Sequence, residues 1–303
     1  MNGRERPGSA WRPIGLCWTP DGQVALEWDA PADRSARFSA LPVGGRLAVL
    51  VGADRRCLGV RHSGRRIDCP LAAALAPTAR HPQCEACSAL AATNSVATDS
   101  SLLDDKRDYS VYLAHHGELV KVGITRTERG TTRLLEQGAL ASVFLSSGSL
   151  PAARRVERLL GAALGLPDRV SSGRKRRARS RPGSPAERAA ALAAAATACQ
   201  DLNWPSAQAR RTPLITDHAH VYPLPDEGLR PAAAVLPVAP GQQLAGTIVS
   251  RIGSDLYLAT DTGTVLLDVR LLAGWRLLRC PADAEFTAPL QNLPTDSQQD
   301  QLF

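Results

Sequence analysis

Short runs of strand-like residues open the chain. Trp11 to Thr19, Gln23 to Trp28 and Arg46 to Val51 are rich in β-branched, aromatic and alternating apolar positions. Pro20, Asp21 and Gly22, then Gly44 and Gly45, punctuate them. They predict a small β unit over residues 1–56. Residues 57–92 have few large hydrophobes and many turn formers, so this segment cannot build a core of its own. From Tyr109 to Ala114 the alternation returns, Gly117 opens a turn, and Leu119 to Ile124 makes a second strand, which together read as a hairpin. Helical periodicity follows, weakly in Arg133, Leu134, Leu135, Gly138 and Ala139. It is stronger in Ala152 to Leu164, where Val156, Leu159, Leu160, Ala163 and Leu164 share a face. Residues 108–170 are therefore expected to form a hairpin–helix core.

Ser171 to Pro185 contains no large apolar residue, which predicts a basic flexible linker over 171–184. Ser184, Pro185 and Glu187 have the spacing of a helix start, and an alanine-rich helix is expected over 185–202. Thr247 to Ser250, Leu256 to Thr260 and Thr264 to Val269 are strand-like, separated by Gly253 and by Asp261 to Gly263. They predict a small antiparallel sheet or barrel over 244–280. The polar stretch 281–303 is expected to be a disordered tail. The fold class is α+β: an N-terminal β unit, a cysteine module, a central α/β hairpin–helix core and a C-terminal antiparallel β unit.

Composition narrows the class. With 303 residues, 44% hydrophobic and 21% charged, the chain can fill more than one small core. Its longest apolar run, Ala189 to Cys199, falls short of the roughly 18 residues that cross a bilayer. No stretch near Arg4, Arg6 and Arg12 resembles a secretory signal, so a cytoplasmic location is expected. The net charge of +7 has one address. Arg174, Lys175, Arg176, Arg177, Arg179 and Arg181 supply six cations with no acid among them, and the rest of the chain is nearly balanced. Such a run reads as a salt-sensitive, sequence-independent phosphate tether for nucleic acid, with DNA the expected partner. The bland alternative is a solvated loop in an arginine-biased chain that has only three lysines.

In a reducing compartment seven cysteines do not suggest a disulfide framework. Cys57, Cys69, Cys84 and Cys87 form a C-x11-C-x14-C-x2-C array, and the last pair has the knuckle spacing that lets two thiolates reach one metal ion. Four sulfurs complete a tetrahedral shell around zinc, leaving no position for water, so the centre is structural and replaces the missing core. His62 and His81 are alternative ligands. Cys17, Cys199 and Cys280 read as small hydrophobes.

The segment Tyr109-Ser-Val-Tyr-Leu-Ala-His-His-Gly-Glu-Leu-Val-Lys-Val-Gly-Ile-Thr, followed by Arg133-Leu-Leu-Glu-Gln-Gly-Ala, resembles the GIY-YIG nuclease core. The resemblance aligns Tyr112 with that family's first tyrosine, Gly123 with its glycine, Arg133 with its arginine and Glu157 with its metal-binding glutamate. Lys121 stands where the second tyrosine belongs, and Gln137 where many of these nucleases carry histidine. Phosphodiester hydrolysis asks for a positioned water, a cation on the phosphate and a divalent metal. Tyr112, Arg133 and Glu157, the last holding Mg²⁺ or Mn²⁺, fit those tasks. His115 and His116 could supply a base, although an exposed turn is the simpler expectation.

Together with the cysteine array and the Gly246 to Trp275 segment, most of residues 12–280 looks like a prokaryotic, bacterial family of unknown function that joins a zinc module to a GIY-YIG-like core. That resemblance implies Lys121 is a family trait. Three functions are expected in turn: a zinc-stabilised, metal-dependent DNA nuclease, a catalytically inactive nucleic-acid-binding module of the same fold, and a zinc-containing protein scaffold.

Overall fold

The hydrophobic runs sort into two units, residues 1–17, 23–99 and 231–303 in one and residues 18–22 and 100–230 in the other. The structure, a computed structural model, describes residues 11–29, 37–62, 65–93, 106–281 and 283–294.

The first unit begins with β1 (Arg12–Trp18), β2 (Val24–Asp29) and β3 (Arg37–Ala40), a three-stranded sheet in that order. Next come the long β4 (Arg46–Arg55), the short hairpin β5 (Val60–His62) and β6 (Arg65–Ile67), and helix α1 (Glu85–Thr93). Gly59, just before β5, sits at φ +69°, where any Cβ would run into the Ile67 carbonyl, so only glycine turns the chain tightly enough into this hairpin.

The chain then builds the second unit from β7 (Tyr109–His116), β8 (Leu119–Arg126), α2 (Thr132–Gln137), β9 (Ala141–Gly148), α3 (Leu150–Leu164), α4 (Ser172–Ser180), α5 (Pro185–Gln200), β10 (Gln208–Arg210) and β11 (Ile215–Asp217). Strands β8, β7 and β9 lie side by side, and β10 and β11 pair with successive stretches of the far edge of β9, all antiparallel. All eight residues of β7 are buried, so both faces of this sheet are covered. Tyr112, Ala114 and His116 alternate onto the face closed by α2 and α4, where Tyr112 and Ala114 pack with Leu134 and Ala139. His115 faces α5. That alanine-rich helix buries Leu192, Ala196 and Cys199, and its small side chains let it lie against β7, β9 and β11.

The chain finally returns to the first unit with β12 (Ala233–Val235), β13 (Gln243–Ile252), β14 (Asp255–Thr260), β15 (Gly263–Asp268), β16 (Trp275–Arg279) and β17 (Leu290–Asn292). Here β4 enters between β16 and β13, giving a curled seven-stranded sheet ordered β16-β4-β13-β14-β15-β12-β17. Its core joins Leu47 and Val51 of β4 to Leu244, Ile248, Leu256, Leu258 and Trp275.

Three expectations are corrected. The N- and C-terminal β segments are not separate units, because β4 of the N-terminal segment belongs to the C-terminal sheet, where Leu244 to Thr247 of β13 pair with Arg46 to Val49. Residues 171–184 are not a flexible linker, because Ser172–Ser180 is helical and Ser171 caps it by accepting from the Arg174 N–H at 3.3 Å. The segment from 281 onward is not all tail, because Leu290–Asn292 pairs with β12; residues 295–303 lie outside the described part.

A cysteine quartet and a polar face on the hairpin

Cys57 follows β4, Cys69 follows β6, and Cys84 and Cys87 open α1. Their four Sγ atoms all lie within 4.8 Å of one another, and Cys69 and Cys84 approach to 3.9 Å. A tetrahedral zinc with Zn–S bonds of about 2.3 Å needs sulfurs about 3.8 Å apart, so the set fits that ion with small adjustment. The chemistry of the donors fits as well. The N–H groups of Gly59 and Cys84 donate to Cys57 Sγ at 3.4 and 3.2 Å. Backbone N–H groups, that of Ala73 foremost, hold the Cys69 thiol down to about 7. Burial pushes the Cys57 and Cys87 thiols up, and for Cys87 the neighbouring sulfurs add to it. Thiols crowded into a low-dielectric pocket resist ionising without a cation, and a divalent ion removes that obstacle. Val60, Ala73, Leu75 and Ala91 pack around the sulfurs in a small cluster. His81 is exposed and outside the quartet, and the His62 side chain lies outside the described residues.

On the hairpin, Tyr112 stands directly across from Gly123. A Cβ at 123 would come within 2.5 Å of the phenol oxygen, so the ring lies over the glycine. Lys121 Nζ donates to Gln137 Oε1 at 3.2 Å, and Gln137 Nε2 donates to Tyr112 Oη at 2.7 Å. An ammonium can only donate, so Lys121 fixes which end of the amide faces it. The amide N–H is thereby turned onto the tyrosine, and the phenol's own hydrogen is left for another acceptor. The Lys121 ammonium also lies 5.9 Å from the Tyr112 ring centroid.

Burial raises the Tyr112 phenol, with Arg133 opposing that rise and Glu157 adding to it. Burial lowers Lys121, with Arg133 lowering it further and Glu157 raising it. Burial raises the half-buried Glu157, Lys121 opposes this, and Asp168 adds to it. Tyr112, Lys121, Arg133 and Glu157 therefore act on one another through their charges, and Gly123 lies beneath the Tyr112 ring. Arg133 is 3.5 Å from Glu136, which also holds Arg129 at 2.6 Å. Among the described residues, only the cysteines form a group of three or more metal-type ligands. Glu157 therefore has no cluster of further metal-type ligands beside it among the described residues, and Asp168 acts on it through its charge.

In a comparison with known families, the model described as Protein of unknown function (DUF2797) matches residues 60–277. The chain belongs to that family. No curated protein and no solved structure matches it. The DUF2797 match takes in Cys69, Cys84 and Cys87, residues 100–230 of the second unit, and β12 to β15 with the start of β16 from the curled sheet; Cys57 and β4 lie before it.

Within the DUF2797 region the basic run is divided. Arg174, Arg177 and Arg181 are exposed and Arg176 is half-buried. Lys175 donates from Nζ to the Gln137 carbonyl at 2.8 Å, and Arg179 is 2% exposed, with its carbonyl accepting from Leu229 N–H. Lys175 and Arg179 are thus turned inward, and the run cannot act as six equivalent phosphate contacts. The reason is geometric. Lys175 and Arg179, four positions apart, share the inward face of α4, Arg174 and Arg177 lie off it, Arg181 follows the end of the helix, and Ala178 seats the helix against Gly117.

His115 and His116 are not an exposed turn, since they are 6% and 2% exposed. Ser142 Oγ lies 2.8 Å from His218 Nε2, and Asp217 is adjacent, a set that suggests nucleophilic chemistry by composition. Both Ser142 and His218 are buried, however, and the Asp217 carboxylate accepts from Arg188 and from Ala219 N–H, so the set is a structural polar network. Among the described residues no helix is long and apolar enough to cross a membrane. Sequence reasoning missed Asp168 and Glu136, for which a carboxylate near a cationic helix was the sole signal.

Proposed function

We propose that the protein is a zinc-stabilised, nucleic-acid-binding phosphodiesterase whose hairpin face is GIY-YIG-like and cuts DNA with a divalent metal. The observation that carries this reading is that Tyr112, Lys121, Arg133 and Glu157, from β7, β8, α2 and α3, act on one another's charge while the Tyr112 ring lies over Gly123.

The roles follow from the chemistry of each group. A buried phenol with a raised pKa is a poor base at neutral pH. Tyr112 therefore acts as a hydrogen-bond donor that positions water or a phosphate oxygen, held by Gln137. Arg133, 43% exposed at its side chain, reaches out and offers its planar fork to the phosphate, and Lys121 adds positive charge behind it. Glu157 would hold Mg²⁺ or Mn²⁺, which when bound would supply neutralisation of the charge developing on the phosphate. The exposed Arg174 and Arg177 of α4, with Arg181 just past its end, bind further phosphates of the strand. The cysteine quartet binds zinc and acts structurally.

A second reading, a binding module without cleavage, is favoured by the same tyrosine: its hydroxyl is buried and already engaged by Gln137. One assay separates the two. Purified protein with Mg²⁺ or Mn²⁺ nicks supercoiled or structured DNA, and Glu157→Ala or Arg133→Ala abolishes the nicking. Cleavage that survives both substitutions would sink the site. Salt-dependent DNA binding without any nicking would favour the binding module, and no binding at low salt would favour a protein scaffold.

A further inference from the structure

The metal quartet spans a segment that has almost nothing apolar to hold it. Between Cys69 and Cys84 the chain runs Pro-Leu-Ala-Ala-Ala-Leu-Ala-Pro-Thr-Ala-Arg-His-Pro-Gln, and Leu71 is 72% exposed. Four sulfurs converge only if this loop closes the same way in every molecule, and loop closure costs conformational entropy. What closes it is polar. The N–H of Cys57 donates to the Ala73 carbonyl, that of Leu58 to Pro82, and that of Leu75 to Arg55, each at 2.8 to 2.9 Å. The Gln83 side chain donates to the Gly59 carbonyl at 2.8 Å. These bonds fix the two ends of the loop; its middle is turned by the Ala79 N–H donating to the Ala76 carbonyl at 3.0 Å and is held from outside by a side chain.

That side chain is Arg55, the last residue of β4 and two residues before the first cysteine. It is 4% exposed. Its Nη1 donates to the carbonyls of Ala79 at 2.8 Å and Pro77 at 3.1 Å, with Ala76 at 3.5 Å, while Nε donates to Ala273 at 3.1 Å. The adjoining Arg56 N–H donates to the Gly274 carbonyl at 2.9 Å. The guanidinium therefore sits in a cage of carbonyls drawn from the cysteine loop and from the turn that leads into β16. Five donors on a rigid plane suit such a cage, and a lysine has neither the number nor the geometry. Resting on the zinc reading, we propose that Arg55 is a positioning residue for the metal: it holds the Ala76–Ala79 loop so that Cys84 and Cys87 meet Cys57 and Cys69, and it ties metal binding to the curled sheet.

The test measures zinc on the full chain. Zinc affinity is read by competition with a chromophoric chelator, and zinc loss by the rate of chelator-driven release, for the wild type and for Arg55→Lys and Arg55→Met. Leu256→Ala serves as a control that lowers the melting temperature through the core of the same unit without touching the loop. Wild type is expected to hold about one zinc. Both Arg55 variants are expected to bind it about 10- to 100-fold more weakly, the size of effect that supporting residues exert on metal sites, and to release it faster. Leu256→Ala should keep the wild-type affinity. If Arg55→Lys or Arg55→Met holds zinc as tightly as wild type, or if Leu256→Ala loosens it equally, Arg55 has no positioning role and the proposal is overturned. A wild-type chain that binds no zinc overturns the zinc reading itself, a failure distinct from the other two.

Discussion

Placing a methyl group at Gly123 tests the stacking of Tyr112 directly. An ideal Cβ there would lie 2.5 Å from Tyr112 Oη, 2.6 Å from Cζ and 3.1 Å from Cε2, so three ring atoms stand inside contact distance. The ring has nowhere easy to go. It is 1% exposed, meets Phe144 edge-on at 6.3 Å, and keeps its hydroxyl on Gln137 at 2.7 Å. Overpacking of this kind costs about 1 to 3 kcal/mol, and a swing that breaks the Gln137 bond adds about 1 kcal/mol. Gly123→Ala is expected to destabilise the second unit by about 2 to 4 kcal/mol, each kcal/mol lowering the melting temperature by roughly 3 to 4 °C for a unit of this size. The double-mutant cycle carries the argument. In a Tyr112→Ala background the new methyl has space, so Gly123→Ala should cost less than about 0.5 kcal/mol, whereas in Tyr112→Phe, which keeps Cζ, most of the penalty should remain. Urea titrations of the six proteins, each of the three backgrounds with and without Gly123→Ala, measure it. An equal penalty with and without the aromatic ring would refute the stacking.

Other expectations are quicker to state. Burial holds the His115 and His218 imidazoles down to about 4 and His116 well below its ordinary value. The unfolded chain therefore takes up protons first: the stability tied to these neutral rings is complete above about pH 6.5 and is lost as the pH falls toward 4, at up to roughly 1.4 kcal/mol per pH unit for each ring. Urea midpoints at pH 7, 6 and 5 check this, and a flat series counts against it. Ser184 and Glu187 make a reciprocal capping box at the start of α5, so Ser184→Ala should cost about 1 kcal/mol in the same titration, and no change would place the helix start elsewhere. Arg188, 1% exposed at its side chain, meets Asp217 at 2.6 Å, so Asp217→Asn should leave a buried cation short of its partner and cost about 3 to 5 kcal/mol by thermal unfolding. Replacing Cys84 and Cys87 by serine should release the metal and lower the melting temperature of the first unit; zinc retained at one per chain would move the site away from the quartet.

Local pattern was enough for features whose information is local. The period-two run of Tyr109 to Ala114, the turn at Gly117 and the knuckle spacing of Cys84 and Cys87 are each contained within a dozen residues. The capping residues of α5 were equally legible. Strand β9, which lies between β7 and the β10–β11 edge, was missed: Ala141-Ser-Val-Phe-Leu-Ser-Ser-Gly has no charge and only a short apolar alternation. Pairing between β4 and β13 joins residues nearly 200 positions apart, and nothing within either strand announces the other. Helix α4 misled for a different reason. Its polar composition reads as a solvated linker, but arginine, lysine and alanine favour helix, and Lys175 and Arg179 are long enough to bury their stems while reaching polar partners.

The same lesson sharpens the view of the hairpin face. Along the sequence, Lys121 and Gln137 look like two independent departures from a nuclease pattern, one losing a phenol and the other an imidazole. In space they are one arrangement, because the lysine donates to the glutamine at 3.2 Å and the glutamine passes its other end to Tyr112. A lysine alone would leave a desolvated ammonium beside the tyrosine, and a glutamine alone would have no reason to choose its orientation. Together they satisfy the ammonium, fix the amide and aim the remaining tyrosine, while Lys175 of α4 holds the Gln137 carbonyl from the other side. Buried polar groups need such mutual satisfaction whatever a face does; on the proposed reading the same bonds also keep Tyr112 a donor and hold positive charge beside it.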